Sequence, residues 1–367
     1  MKIALITIHY ANSYGGVLQA FALGKTLSRY GDVSIIDYKT PYISKTMRPI
    51  RLGLKPIDIL RTVKDITRLL PRYRLIKKLK SFIKIHLNLT QAYKDSNISE
   101  IEKDYDVFVC GSDQIWNPII VNGTNSIDEI YFLDFVHRKK KFSYAASMGS
   151  YHYEGKEIER LVYLLNQFDA ISVRELDSCQ YLSELLNQPV THNIDPTLLL
   201  PASDWRSLLH IGESKYSKPY ILVYAFGKDL QIKKSVEYIA ETLKLDVIAI
   251  NQDVFINYKC KKHIRDASPE EFLNLFANAS FIITNSYHGT AFSIIFNSPF
   301  VVTGISQTGI NRIQNLLNLL DLSERMVYQK EKLPEVLKKQ IKYSKINKTL
   351  ADLRKKSIEY LDIVFNK

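Results

Sequence analysis

The sequence predicts an α/β protein made of two doubly wound, Rossmann-like domains with a central cleft. Three observations predict it. Short apolar runs of strand length alternate with stretches of helical periodicity through both halves of the chain. At 367 residues the chain is too long for one ordinary core and suits two domains. Near the middle, Asn193-Ile-Asp-Pro-Thr-Leu-Leu-Leu-Pro201 breaks the alternation, because each proline restricts its predecessor to extended geometry.

The elements follow in order. Residues 2–9 read as a first strand, since no small-residue cleavage site follows that would make them a leader. Residues 16–29 form a helix with Val17, Leu18, Phe21, Leu23 and Leu27 as its apolar positions, and residues 32–38 form the next strand. A basic segment, 45–84, is split by Pro56 and Pro71 into helices. Ile57, Leu60, Val63 and Ile66 give the first an apolar side, and Leu75, Leu79, Phe82 and Ile83 the second. Strands are expected at 106–110, 142–146 and 170–173, each ending in small or polar residues. Beyond the prolines come a strand at 220–224, a helix near 232–243 and a strand at 247–250. Ser268-Pro-Glu-Glu271 then carries a cap, a first-turn proline and a capping-box glutamate. A strand and helix around His288, a strand at 300–302 and helices near 312–320 and 350–364 complete the chain. The expected domains are 1–200, carrying the basic segment as a helical insertion, and 201–335, with 336–367 packing back on the first.

Composition bounds the function. A hydrophobic content of 46% with 24% charged residues is that of a folded soluble protein. No run approaches the roughly 18 apolar residues of a membrane span. Three scattered cysteines fit neither a zinc site nor a disulfide framework, which points to a cytoplasmic protein. The net charge of +12 is uneven: residues 45–84 hold thirteen Lys or Arg against two Asp. A uniformly basic chain would suggest nucleic acid. This distribution suggests a neutral enzyme with a basic patch and no nucleic-acid partner. No ligand cluster argues for a metal.

Four places can carry chemistry. Phe281-Ile-Ile-Thr-Asn-Ser-Tyr-His288-Gly289 runs from a buried strand into a helix, so unpaired N–H groups face the carboxyl end of a sheet, where anions bind. His288 stands there with Gly289, which lets backbone approach a ligand; the plain alternative is a buried histidine satisfied by hydrogen bonds. Ala11-Asn12-Ser-Tyr14-Gly15-Gly16 is a second strand–helix junction, too far from G-x-G-x-x-G for a dinucleotide site but able to present N–H groups. In Gly111-Ser-Asp113-Gln-Ile-Trp116-Asn117, Asp113 is either a general base or a helix cap, and Trp116 can stack on a sugar. Arg174, at the end of a strand, either pairs with Glu175 or another carboxylate or offers a fork to an anion. His9, at the end of the first strand, is a spare acid–base candidate.

Taken together, the motifs at 12–23, 111–117, 144–147, 171–175, 195–199 and 285–290 resemble those of the polysaccharide pyruvyl transferase family, in order, over about residues 2–325. The resemblance implies a two-domain, GT-B-like fold. It also implies transfer of a pyruvyl group from phosphoenolpyruvate, the donor substrate, to sugar hydroxyls as a ketal, with no cofactor. By motif, Arg174 and His288 fall among the phosphoenolpyruvate ligands, with Ser286 and Gly289 beside them. Ser286 stands where many members have an arginine, which removes one anion contact. His288 is assigned as phosphate ligand and acid and Asp113 as base. Asn12, Tyr14, Gly15 and Trp116 are placed at the mouth of the acceptor domain, 1–200, with 201–335 as donor domain. A lipid-linked acceptor would set the protein at the inner face of an anionic membrane, touched through residues 45–84. Two other readings stand beside this one: a nucleotide-sugar glycosyltransferase of GT-B type, and a basic membrane or nucleic-acid adaptor without activity.

Overall fold

The computed structural model describes residues 1–53, 56–304 and 307–366. Leu54 and Lys55 of the basic segment, Ile305 and Ser306 of the expected second domain, and Lys367 lie outside them. The chain divides into two compact units. The first comprises Met1–Met47, Lys80–Leu200 and Ala351–Lys367, and the second Arg48–Leu79 and Pro201–Leu350.

The first unit is built on β1 (Lys2–Ile6), β2 (Asp32–Tyr38), β3 (Leu89–Tyr93), β4 (Val107–Cys110) and β5 (Lys140–Ser143). They form one parallel sheet in the order β3-β2-β1-β4-β5. Both faces of its central strands are covered, which is why β1 and β4 read as continuous apolar runs. β6 (Ser172–Val173) and β7 (Thr191–His192) form a small parallel pair. The helix Tyr14–Leu27 is buried on nearly every side, and its glycines and alanines permit that close packing. Tyr360, near the end of the helix Tyr343–Asn366, donates to the Ser143 carbonyl at 2.8 Å, and Phe365 stacks on Tyr30 at 4.4 Å.

β2 ends in Tyr38, whose hydroxyl donates to Asp128 at 3.1 Å. Burial pushes the Asp128 carboxyl up to about 6, and the hydrogen bond from Tyr38 only partly opposes it. A carboxyl raised on folding gives stability that is present below its ordinary range near 4 and lost as pH rises through about 6. Asn keeps the cap to the Ile130 N–H without the charge. Asp128→Asn should therefore raise the melting temperature at pH 8 and change it much less at pH 4. An equal gain at both would refute the linkage.

The second unit has β8 (Tyr220–Tyr224), β9 (Asp246–Ile250), β10 (Lys262–Ile264), β11 (Phe281–Thr284), β12 (Phe300–Thr303) and β13 (Met326–Val327). These too are all parallel, in the order β10-β9-β8-β11-β12-β13. The capping box is present: Ser268 accepts from the Glu271 N–H at 3.1 Å and Glu271 accepts from the Ser268 N–H at 2.8 Å.

Residues 48–79 of the basic segment belong to this second unit, not to an insertion in the first. Helical periodicity shows that a helix has an apolar side but not which partner it meets. Here the counter-charges decide: Arg68 and Lys64 reach Asp253 at 3.2 and 2.7 Å, and Lys78 reaches Glu271 at 2.7 Å. Leu75 and Leu79 of the helix Leu69–His86 are buried core, as is Phe82, which meets Phe21 edge-on at 5.8 Å.

Candidate active site

Each sheet reverses its strand order once, between β1 and β4 in the first unit and between β8 and β11 in the second. In open parallel sheets the carboxyl ends flanking such a reversal are where ligands bind. Both places are occupied by the motifs singled out in the sequence.

In the second unit, β11 runs through Asn285 and Ser286 into the helix Tyr287–Ile295. Asn285 fixes the geometry. Its amide donates to the carbonyls of Phe226 and Gly304 at 2.9 and 3.0 Å and accepts from the Phe226 N–H at 2.8 Å. The segments following β8, β11 and β12 are thereby tied by one side chain. Ser286 caps the helix, accepting from the Gly289 N–H at 3.4 Å. Gly289 is required by close approach: a Cβ there would lie 2.2 Å from Thr284 Oγ1 and 3.1 Å from Tyr224 Cδ1. The helix start thus sits hard against its own strand. His288 is buried in the first turn, with the Tyr287 ring edge-on at 5.2 Å. Arg312, on the helix Gln307–Leu319, holds its guanidinium 5.9 Å from the centre of the Tyr287 ring. That brings a cation near the first turn of the helix that Ser286 caps. Sequence reasoning missed Arg312, since nothing in a motif marks a residue 24 positions after His288.

In the first unit, Ser13 caps the helix Tyr14–Leu27 and accepts from the Gly16 N–H at 3.3 Å. Asp113 follows β4 with φ +69, a left-handed conformation uncommon outside Gly, Asn and Asp. Its Oδ2 lies 3.5 Å from where a Cβ on Gly16 would stand. The carboxylate of Asp113 and the first turn of this helix therefore share one spot, and Asp113 is only half-buried there. Ala145, beyond neighbouring β5, also has positive φ, so two strained positions flank the same sheet end. Asp113 is not the cap of a following helix: Asn117 precedes the short helix Pro118–Val121, and Asp113 Oδ1 accepts from the Gln114 N–H at 2.9 Å.

Asn12 lies in the same turn, its N–H donating to Thr46 Oγ1 at 3.1 Å. Tyr14 and Gly15 are buried in the first turn of the helix. Beneath them is a network the sequence did not announce. Gln19 donates to Thr7 Oγ1 at 2.8 Å and to the carbonyls of Ile8 and Gly16 at 3.2 and 3.0 Å, and Thr7 donates to the Ser112 carbonyl at 2.8 Å. The one signal for it is a glutamine inside the apolar run Val-Leu-Gln-Ala-Phe. His9 Nε2 meets Asp37 Oδ1 at 3.0 Å and its Nδ1 faces the Thr7 carbonyl at 3.2 Å. Burial would raise the Asp37 carboxyl, but hydrogen bonds from His9 and Lys39 outweigh it and hold it below the usual carboxylate range. His9 is thus committed to internal partners. A groove lined by Tyr10, Lys39, Lys80 and Lys84 gives this edge a positive lining.

Two expected site residues are corrected. Trp116 is no sugar platform: it is fully buried, its ring stacks on Phe132 at 5.2 Å, and its Nε1 donates to the Tyr131 carbonyl at 3.2 Å. The apolar side of the turn after Asp113 packs into the core, and the indole goes with it. For Arg174 the internal pair wins over the anion fork. Its Nη1 donates to Asp195 at 2.6 Å, its Nε to Glu175 at 3.0 Å and its Nη2 to Ser147 at 3.1 Å, with the side chain 2% exposed. Among the described residues, no group of three or more His, Cys, Asp or Glu is placed to hold a metal ion. No helix among them is long and apolar enough to cross a membrane.

Comparison with known proteins gives the family and the fold. A family model described as polysaccharide pyruvyl transferase matches residues 14–307. No curated protein matches the chain in sequence. Among solved structures, S. aureus MnaA in a co-structure with UDP is similar at a TM-score of 0.51 and 12% identity, covering 100% of this chain and 97% of that one. A UDP-N-acetylglucosamine 2-epimerase from Listeria monocytogenes is similar at 0.50 and 10%, covering 96% and 91%. The E. coli ADP-heptose heptosyltransferase II is similar at 0.39 and 14%, covering 96% and 99%. At such identities the likeness shows fold alone, an α/β architecture with parallel sheets.

Proposed function

The chain belongs to the polysaccharide pyruvyl transferase family, and from that premise we propose that it moves a pyruvyl group from phosphoenolpyruvate onto two hydroxyls of a sugar in a polysaccharide repeat unit, forming a ketal. The observation that carries the donor reading is the start of the helix Tyr287–Ile295. Its backbone N–H groups, the buried His288 and the guanidinium of Arg312 make a place for a compact dianion. Gly289 keeps that helix start pressed on β11, so the donors are held rather than mobile.

The chemistry asks for few groups. A proton goes to the methylene carbon of phosphoenolpyruvate, leaving positive charge at the carbon that bears the phosphate oxygen. One sugar hydroxyl adds there and gives up its proton, phosphate leaves, and a second hydroxyl adds with loss of its proton. Of the two hydroxyl protons released, one balances the new methyl group and one leaves with phosphate. His288 is assigned to the phosphate and to the acid role, which suits an imidazole near neutral pH. Asp113, at the first-unit site with Asn12 and the turn before Tyr14, is assigned as base toward the acceptor. Arg174 enters only as a positioning residue, holding Ser147 and Glu175 behind that site.

Release of phosphate from phosphoenolpyruvate in the presence of lipid-linked or soluble saccharides tests the reading. Thermal stabilisation separates the donors: a ligand at 100 times its Kd adds about 2.7 kcal/mol. Stabilisation by UDP-sugars and none by phosphoenolpyruvate would replace this reading with a glycosyltransferase. Asp113→Asn keeps the left-handed backbone, which Asn tolerates, and should cut kcat by about 100-fold or more with phosphoenolpyruvate affinity unchanged. Equal loss of donor affinity would move Asp113 out of the base role.

A further inference from the structure

The helix Pro56–Thr67 is built inside out. Its buried residue is Asp65, which takes Arg51 at 2.8 and 2.9 Å and Arg68 at 2.9 Å. Its apolar side chains face the other way. Ile59, Leu60, Val63 and Ile66, spaced by three and four, are all more than half exposed, and Leu70 and Tyr73 extend the patch beyond the helix end. A contiguous apolar patch of this kind on a folded protein marks an interaction site.

The charges around it choose the occupant. Arg61, Lys64 and Arg74 stand within a helical turn of Leu60 and Leu70. Each is more exposed than the carboxylate it pairs with: 45% against 27% for Asp58, 51% against 19% for Asp253, and 66% against 26% for Asp266. The acids lie inward and the cations outward, and Lys77 is exposed as well. A second copy of the chain, docking this face on a two-fold axis, would bring Arg61 and Lys64 toward their own copies. An anionic surface meets the same cations with opposite charge.

We propose that this outward face, Ile59, Leu60, Val63, Ile66, Leu70 and Tyr73, docks the protein in the interface of an anionic lipid membrane. The apolar side chains sit at the acyl boundary, the Tyr73 ring lies at headgroup depth, and Arg61, Lys64 and Arg74 reach out to the headgroups. Within residues 45–84 the apolar half of the contact falls mainly on one helix. Leu75, Leu79 and Phe82 are core, so the preceding helix carries it. Docking through this face does not depend on which donor the protein takes.

Co-sedimentation of the full chain with vesicles of phosphatidylglycerol and phosphatidylcholine tests it, beside vesicles of phosphatidylcholine alone. Binding is expected to the anionic vesicles only, weakening as salt rises. Leu60→Ser with Val63→Ser should lower it at least ten-fold while the melting temperature stays near the parent's, since both side chains are exposed. Leu60→Trp gives a readout that does not depend on the serine pair folding. The native Trp116 and Trp205 are fully buried, so a blue shift on adding anionic vesicles reports the new indole entering lipid. The proposal is overturned if the parent does not bind anionic vesicles at low salt, if the serine pair binds like the parent, or if the Leu60→Trp emission does not move. It is equally overturned if the parent sediments as a dimer that the serine pair dissociates, because a second copy then covers the face.

Discussion

His288→Ala is expected to lower phosphate release from phosphoenolpyruvate by about 100- to 10,000-fold, the range for a positioned acid. The loss should appear in kcat as well as in donor affinity, because the same imidazole is assigned to the phosphate and to the proton. The helix that carries it should survive. Its cap, Ser286, and the clamp made by Asn285 onto the Phe226 and Gly304 carbonyls do not involve His288. The far-ultraviolet spectrum and the cooperativity of melting should therefore match the parent. Gly289→Ala is the informative companion. Its Cβ would land 2.2 Å from Thr284 Oγ1, so either the helix start lifts off β11 or Thr284 gives up its hydrogen bond to the Tyr224 carbonyl. Donor affinity should then fall with His288 still in place. Turnover by His288→Ala within a few-fold of the parent would remove the donor assignment.

Much of this arrangement could be read from the residues, and what could not be has identifiable causes. Strands buried on both faces announce themselves as apolar runs, as in Tyr220–Tyr224 and Phe281–Thr284. A capping box needs only Ser268 and Glu271 three positions apart. The strand–polar–helix junctions at Asn285 and Asn12 are also local, and both lie at sheet reversals. Edge strands are harder. Leu89–Tyr93 is largely half-buried or exposed and carries Thr90 and Gln91, so neither alternation nor an apolar run marks it. Long-range pairing is harder still: Asp195 and Ser147 lie 21 and 27 positions from Arg174, and no local pattern couples them. Direction is the third gap. The periodicity of Pro56–Thr67 defines an apolar stripe, but only the buried Asp65 with its arginines shows that the stripe faces outward. Trp116 fails for the converse reason, since an indole beside a polar loop can turn either way.

Arg174→Ala is expected to act on stability before it acts on turnover, by about 3–5 kcal/mol, the cost of removing one partner from a buried ion pair. The guanidinium stands between two carboxylates, Asp195 at 2.6 Å and Glu175 at 3.0 Å, both nearly solvent-free. Without it those charges remain buried with reduced compensation. Asp195 also accepts from the Thr197 N–H and hydroxyl at 2.9 and 2.7 Å, so the start of Pro196–Leu199 loses a fixed anchor. Lys is a poor substitute, because one ammonium cannot reproduce a planar fork aimed at three acceptors. Adding Asp195→Asn to Arg174→Ala should return part of the loss, since the second change removes a stranded charge; the two costs would be clearly non-additive. Urea unfolding of the four proteins in that cycle measures this. Parent-like stability in Arg174→Ala together with lost phosphoenolpyruvate affinity would instead make Arg174 a donor ligand, and the internal pairing a resting arrangement that the substrate displaces.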